Sequence, residues 1–202
     1  MLEVVVSGLV TGWAIAIPIG AVGAFLVTLT ARTSYAVGAA AGLGIATVDG
    51  VYATLAVAAG AALSAVLTPV ATPLRIASGV VLLALAALTA AHALATGGRP
   101  REAAAMGAGR AYLLFAGITA VNPATVVYFA AVVLGNRHLV SNPVEGAVFV
   151  LAAFSASASW QLTLAGGGAV LGRVATGPRA HLVTGLVSSL VIAGLAVHTM
   201  LP

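Results

Sequence analysis

The chain has 202 residues, of which 61% are hydrophobic and only 6% are charged, whereas soluble domains typically carry about 25% charged residues. This composition leaves too little polar surface to face water, so it excludes a soluble globular protein and indicates a lipid-embedded one. The net charge of +4 comes from eight scattered arginines and indicates membrane orientation, not nucleic-acid binding, and the lack of cysteine excludes a thiol-based electron carrier or a cysteine metal site.

Six apolar segments, each about 20 residues or longer and so long enough to cross a bilayer, follow one another along the chain. They cover residues 4–30, 35–63, 75–95, 111–134, 144–171 and 181–201. The N-terminus carries Glu3 and lacks a basic leader, so we interpret the first segment as a span and not as a cleaved signal. We therefore predict an all-α integral membrane protein with six transmembrane helices.

A polar, glycine-rich stretch divides these segments into two sets of three. We interpret residues 96–110 as a cytoplasmic linker between a first three-helix repeat, 1–95, and a second, 111–202. With three spans each, the halves enter the membrane in opposite orientations, which is the inverted-repeat architecture of many transporters. The linker and the loops after the first and fifth segments hold six of the eight arginines. This bias places those loops in the cytoplasm and both termini outside, in the plasma membrane.

Two short patterns recur in corresponding segments of the two halves. In the first segment of each half, GWAIAIP at 12–18 and GITAVNP at 117–123 have the same glycine-to-proline spacing. In the second, DGVY at 49–52 and SASW at 157–160 place polar and aromatic residues at the same spacing. These matches favour an internal repeat.

Asp49 is the only acidic residue deep in a span. A carboxylate at a helix centre costs about 2.5–3.5 kcal/mol on insertion scales. Gly38, Gly42, Ala46 and Asp49 share one helix face, which we expect to pack against another helix. The functional interpretation makes Asp49 a proton or cation carrier, or the counter-charge of a substrate amine. The structural alternative is an aspartate that is protonated or bonded to a neighbouring helix.

Prolines lie near the middle of the first and fourth segments, at Pro18 and Pro123, and Asn122 precedes the second of them. Each proline lacks an N–H and so frees the carbonyl four residues earlier. A broken helix also exposes the positive N-terminus of its second half, which suits a substrate carboxylate. Gly20 would let a ligand approach the backbone there. The alternative interpretation is a plain kink.

Weaker signals complete the set. Ser155, Ser157 and Ser159 lie at the depth of Asp49, and Tyr52, Trp160 and Gln161 could line a cavity or simply pack in the core. Gly8/Gly12, Gly38/Gly42 and Gly168/Gly172 fit the Gly-x-x-x-Gly pattern of close helix packing or of a homodimer. The four histidines make no metal-ligand spacing, and no catalytic signature appears, so we predict no metal, no other cofactor and no enzymatic activity.

At these positions the chain resembles a known family. AIPIGAVGAFLVTLTARTSYAVGAAAGLGIATVDGVYATLAVAAG, residues 16–60, is similar to the first half of the lysine-exporter (LysE/RhtB-type) translocators. Those proteins have a Pro-Gly-rich break in the first span and an acidic residue in the second. FAGITAVNPATVVYFAAVVLG, residues 115–135, resembles their Asn-Pro signature in the fourth span. The family often has Gly-Pro after the first break, whereas here Gly20 is followed by Ala21.

The resemblance implies export of amino acids or similar small metabolites, driven by the proton gradient. The matching functional positions are Pro18, Gly20, Asp49, Asn122 and Pro123. Two other functions stay open: a cation or metal-ion permease, and a non-transporting scaffold in which Asp49→Asn leaves function intact. The predicted partners are the lipid bilayer, a small solute and a second copy of the chain, without nucleic acid.

Overall fold

The computed structural model describes residues 1–17, 20–67, 71–97, 106–121, 142–174 and 178–200. These residues form helices and no strand, as expected where lipid offers the backbone no hydrogen bonds and each segment must satisfy its own. The helices are α1, Leu2–Ala16; α2, Ala21–Arg32; α3, Tyr35–Leu67; α4, Ala71–Thr96; α5, Ala108–Ala120; α6, Pro143–Val174; and α7, Pro178–Met200.

Four of the described helices are long and apolar enough to cross a membrane alone, over Tyr35–Ala58, Gly79–Thr96, Pro143–Val174 and Pro178–Val197. The helices α1 and α2 meet this test only as a pair, and they are bent by 78° at the break between them. The described part of the chain thus has four or five candidate spans. The predicted fourth span begins with α5 and continues into residues 122–141, which lie outside the described residues.

The contacts of α1 and α2 with α6 show how the bent pair runs. Gly8 of α1 packs against Phe149 and Ala152 near the start of α6, and Gly168 near the end of α6 packs against Val27 of α2. At 1.5 Å of rise per residue, these two contacts are about 27 Å apart along α6, close to the thickness of the hydrocarbon core. The pair therefore advances alongside α6 as one broken span, since a re-entrant pair would return to the end where it started.

The helices α3 and α6 pack against each other in opposite directions. Gly42 of α3 lies against Gln161, and Gly50, two turns later, lies against Phe154, which precedes Gln161 in α6. The face of α3 that carries the predicted small-residue stripe is thus covered by another helix, as expected.

Two further helix pairs pack closely. The helices α3 and α5 are parallel: Gly44 packs against Tyr112, and the Tyr52 hydroxyl reaches Ala120. The Tyr112 hydroxyl donates to Thr47 Oγ1 at 3.0 Å and so joins the two helices inside the bundle. The helices α4 and α7 are antiparallel, as shown by the contacts Gly79–Met200 and Ala93–Gly185.

The glycines of the three Gly-x-x-x-Gly pairs pack against other helices of the same chain. A Cβ at Gly8 would lie 2.6 Å from the carbonyl oxygen of Phe149, and one at Gly168 would lie 2.6 Å from that of Val27. The other four glycines of the three pairs also meet neighbouring helices of the same chain: Gly12, Gly38, Gly42 and Gly172. Close internal packing accounts for all six, so the homodimer stays a prediction that these glycines do not support.

The arginines at the ends of α2, α6 and α7 lie at one end of the bundle. Ala31 packs against Gly172, next to Arg173, and the guanidinium of Arg32 lies over Gly185 in the second turn of α7. This grouping agrees with the predicted shared side of the loops after the first and fifth segments. Which side of the membrane they occupy stays a prediction.

Candidate functional site

The centre of the α3–α6 contact is a buried carboxylate paired with a hydroxyl. Asp49 is 3% exposed and Ser157 is fully buried. Ser157 Oγ donates a hydrogen bond of 2.6 Å to Asp49 Oδ2, a length typical of a hydroxyl–carboxylate bond. Gly42 and Ala46, on the same face of α3, have almost no side chain, so α6 comes close enough for the short serine to reach the carboxylate.

Tyr52 lies one turn after Asp49 on the same face of α3. Its hydroxyl donates to the carbonyl of Ala120, the last residue of α5. The last four carbonyls of a helix have no partner within it, so Tyr52 supplies a donor where α5 ends. Asn122 and Pro123 follow at once in the chain and lie outside the described residues.

Three buried polar atoms have no hydrogen-bond partner among the described residues: Thr119 Oγ1, Trp160 Nε1 and Gln161 Oε1. A buried polar atom without a partner costs free energy, so such atoms call for a bound ligand, water or a second conformation. The indole N–H is a donor, the amide oxygen is an acceptor and the hydroxyl is both. The helices α5 and α6 therefore carry buried polar groups whose hydrogen-bonding capacity is unused among the described residues.

The three serines of α6 differ in what they contact. Ser155 is exposed and donates to the Leu151 carbonyl of its own helix. Ser159 accepts a hydrogen bond of 3.1 Å from Trp13 Nε1 and so joins α1 to α6. Ser157 alone of the three bonds to α3. Depth in the membrane could not separate them, but the shared spacing of DGVY and SASW places Ser157 at the position of Asp49.

The predicted residues fall into two groups. Asp49, Tyr52 and Trp160 belong to the helices that meet at the α3–α6 contact. Gly20 lies at the bend of the first span, where it begins α2 in an extended conformation, and a Cβ there would meet nothing within 4 Å. Pro18, with Asn122 and Pro123, lies outside the described residues. Thr119 is the polar residue that the sequence did not single out.

In the described part of the chain, no group of three or more histidine, aspartate or glutamate residues is placed to hold a metal ion.

The described residues form helices with apolar outer faces and bury a carboxylate between α3 and α6, which indicates a multi-pass membrane protein with a candidate functional group inside the membrane. The family model described as LysE type translocator matches residues 13–201, nearly the whole chain. The protein belongs to the LysE type translocator family, whose members are membrane transporters of small solutes. Comparisons with curated proteins and with solved structures found no match.

Proposed function

We propose that the protein exports amino acids or similar small metabolites across the plasma membrane, and that proton movement through Asp49 drives the export. The observation that carries this proposal is the buried Asp49–Ser157 pair at the crossing of α3 and α6. Among the described residues, Asp49 has a neutral hydroxyl as its partner and forms no ion pair with an arginine. Protonation of the carboxylate then leaves no buried cation unpaired, which is the condition for a proton carrier.

The framework of this exporter is a pair of inverted three-helix repeats, 1–95 and 111–202, joined by the linker 96–110. In such a pair, α3 corresponds to α6 and the α1–α2 span corresponds to the fourth span. The observed directions fit this correspondence, because α3 is antiparallel to α6 while α1–α2 is parallel to α6 and α3 is parallel to α5. With the arginine-rich end in the cytoplasm, both termini lie outside.

The solute crosses beside the α3–α6 contact and the two breaks. The first turn of α2, which begins after Gly20, has backbone N–H groups suited to a carboxylate. Gln161 Oε1 and Thr119 Oγ1 are free to accept hydrogen bonds from an ammonium group, and Trp160 Nε1 is free to donate one. An amino acid carries both kinds of group, which favours it over a purely anionic or apolar solute.

Coupling follows from exposing Asp49 to each side in turn. The carboxylate takes up a proton from outside and releases it to the cytoplasm, while the solute moves the other way. The alternative function is a cation permease, which the unpartnered oxygens of Thr119 and Gln161 favour, since hard cations prefer oxygen ligands.

Efflux from proteoliposomes tests the proposal. Vesicles preloaded with a mixture of amino acids receive a proton gradient directed inward, and the loss of each amino acid is measured for wild type, Asp49→Asn and Glu3→Gln. Glu3 is exposed in the first turn of α1, so its neutralisation is the matched control. We expect gradient-dependent loss of one or a few amino acids that Asp49→Asn abolishes and Glu3→Gln retains. Movement of metal cations in its place would favour the permease, and transport of neither would favour the scaffold.

A further inference from the structure

We propose that Asp49 and Ser157 are equivalent residues of the two repeats, located on the pseudo-two-fold axis that relates them. The acidic group of the site can then be supplied from either α3 or α6. The efflux measurement that tests this inference rests on the proposed transport function, whereas the measurement of thermal unfolding does not.

A residue on a two-fold axis touches its own equivalent, and few other residues can do so. The spacing of DGVY at 49–52 and SASW at 157–160 makes Ser157 the counterpart of Asp49. In the structure these counterparts hydrogen-bond to each other at 2.6 Å. They do so where α3 and α6 cross in opposite directions, as equivalent helices of an inverted repeat must where they meet on the axis.

The packing on the two sides of the pair follows the same relation. Gly42 packs against Gln161 on one side of the crossing. Ser157 lies a fixed number of residues after Asp49, and we call this separation the α3–α6 offset. By the same offset, Val150 is the counterpart of Gly42, and Ala53 is the counterpart of Gln161. Val150 and Ala53 lie in one hydrophobic cluster on the other side of the crossing.

The outer helices follow the relation as well. Gly44 of α3 packs against Tyr112 of α5. By the α3–α6 offset, Ala152 is the counterpart of Gly44. By the separation between GWAIAIP and GITAVNP, the counterpart of Tyr112 is the residue next to Gly8. The observed contact of Ala152 is with Gly8. The two sequence separations thus predict the α1–α6 contact from the α3–α5 contact, and the predicted residue is one position away from the observed one.

The consequence is that the two side chains can be exchanged. The double variant Asp49→Ser with Ser157→Asp places the same two groups in the same helix contact with no change in total volume. The hydroxyl on α3 then donates to the carboxylate on α6. A single Asp49→Ser variant has no carboxylate, and a single Ser157→Asp variant forces two carboxyl groups together.

The test measures gradient-driven amino-acid efflux and thermal unfolding in detergent for wild type, both single variants and the exchange variant. We expect each single variant to lose about tenfold or more in efflux rate, and the exchange variant to recover about tenfold over Asp49→Ser, the size of a direct pair coupling. The control is Asp49→Ser with Ser159→Asp, because Ser159 contacts Trp13 and not α3. It adds a carboxylate to the same helix and restores nothing.

An exchange variant no more active than Asp49→Ser overturns the inference, and so does one that fails to fold when Asp49→Ser folds. Should the wild type transport nothing, the proposed function fails while the axis is still judged by unfolding. The axis is supported if the exchange variant unfolds at a higher temperature than Asp49→Ser and the Ser159 control does not. Equal destabilisation of the two double variants rejects it.

Discussion

The carboxylate of Asp49 is buried away from water, and in the described structure its hydrogen-bond partner is a serine hydroxyl. A buried carboxylate needs donors to offset its lost hydration, and here the donor comes from a helix that is far away in sequence. The pair therefore fixes the contact of α3 with α6 as well as the chemistry of the site. Because the Ser157 hydroxyl has both roles, its removal tests the helix contact and the chemistry of the site together.

We predict that Ser157→Ala lowers the rate of gradient-driven efflux and lowers the free energy of unfolding by about 0.5–2 kcal/mol, the range for hydrogen bonds inside membrane proteins. The matched control is Ser155→Ala, because Ser155 is exposed on the same helix and bonds only to its own turn. Thermal unfolding in detergent and efflux from vesicles measure both effects. Equal behaviour of the two variants would contradict a role for the Ser157 hydroxyl.

Tyr52→Phe removes the donor that reaches the Ala120 carbonyl and leaves the ring in place. We predict a loss of stability of about 0.5–1.5 kcal/mol, the net value of one hydrogen bond, and slower efflux because the end of α5 is less firmly held. Tyr35→Phe is the control, since Tyr35 is exposed at the start of α3. Unchanged efflux in Tyr52→Phe would remove Tyr52 from the site.

The sequence predicted some site residues and missed others for a physical reason. An acid deep in an apolar span is rare and expensive, so Asp49 stood out. A threonine in an apolar helix is not informative, because its hydroxyl normally bonds to the carbonyl of its own preceding turn. Thr28 and Thr30 do so, whereas Thr119 Oγ1 has no partner in the described part of the chain. Nothing in the local sequence distinguishes these cases.

At the scale of helices, the first span is the unusual element, because two short helices together pack along α6 from Phe149 to Gly172. The sequence predicted an interruption at Pro18, and the described helices α1 and α2 end before that residue and begin after it, with a bend of 78° between them. The size of the bend could not be predicted. It depends on where Gly8 and Val27 meet α6, and such long-range contacts leave no periodic signal.

Neighbouring glycines of α6 test the second half of this broken span. A Cβ at Gly168 would lie 2.6 Å from the carbonyl oxygen of Val27, whereas one at Gly167 would meet nothing within 4 Å. We predict that Gly168→Ala destabilises the protein by about 1–3 kcal/mol through overpacking. Gly167→Ala, one residue away, should be neutral or stabilising by up to about 1 kcal/mol through helix propensity. Thermal unfolding of both variants decides, and equal unfolding temperatures would contradict the α2–α6 contact.

At the scale of the whole molecule, orientation is the next open prediction. The chain has no cysteine, so single cysteines can report it. Leu2 and Ala36 are both exposed. Leu2 lies at the start of the broken first span, and Ala36, in the first turn of α3, lies just beyond its other end. We predict that an impermeant maleimide labels Leu2→Cys in intact cells and labels Ala36→Cys only after the membrane is opened. The reverse pattern would place the arginine-rich end outside.

Span lengths and apolar composition predicted the all-helical membrane class, because lipid leaves the backbone few options other than helices. The pairing of helices was only partly predictable. Corresponding motifs favoured an inverted repeat, but which glycine meets which helix depends on contacts between distant residues. The Gly-x-x-x-Gly pairs illustrate this limit, since close packing within one chain and a dimer interface use the same sequence pattern.

The most direct test of proton coupling through Asp49 is proton movement driven by the solute alone. Vesicles that contain an internal pH dye and the exported amino acid are diluted into amino-acid-free buffer at the same pH, with wild type or Asp49→Asn in the membrane. The account predicts that outward solute flow acidifies the lumen of wild-type vesicles and leaves the pH unchanged with Asp49→Asn. Acidification at the wild-type rate in folded Asp49→Asn protein would contradict it.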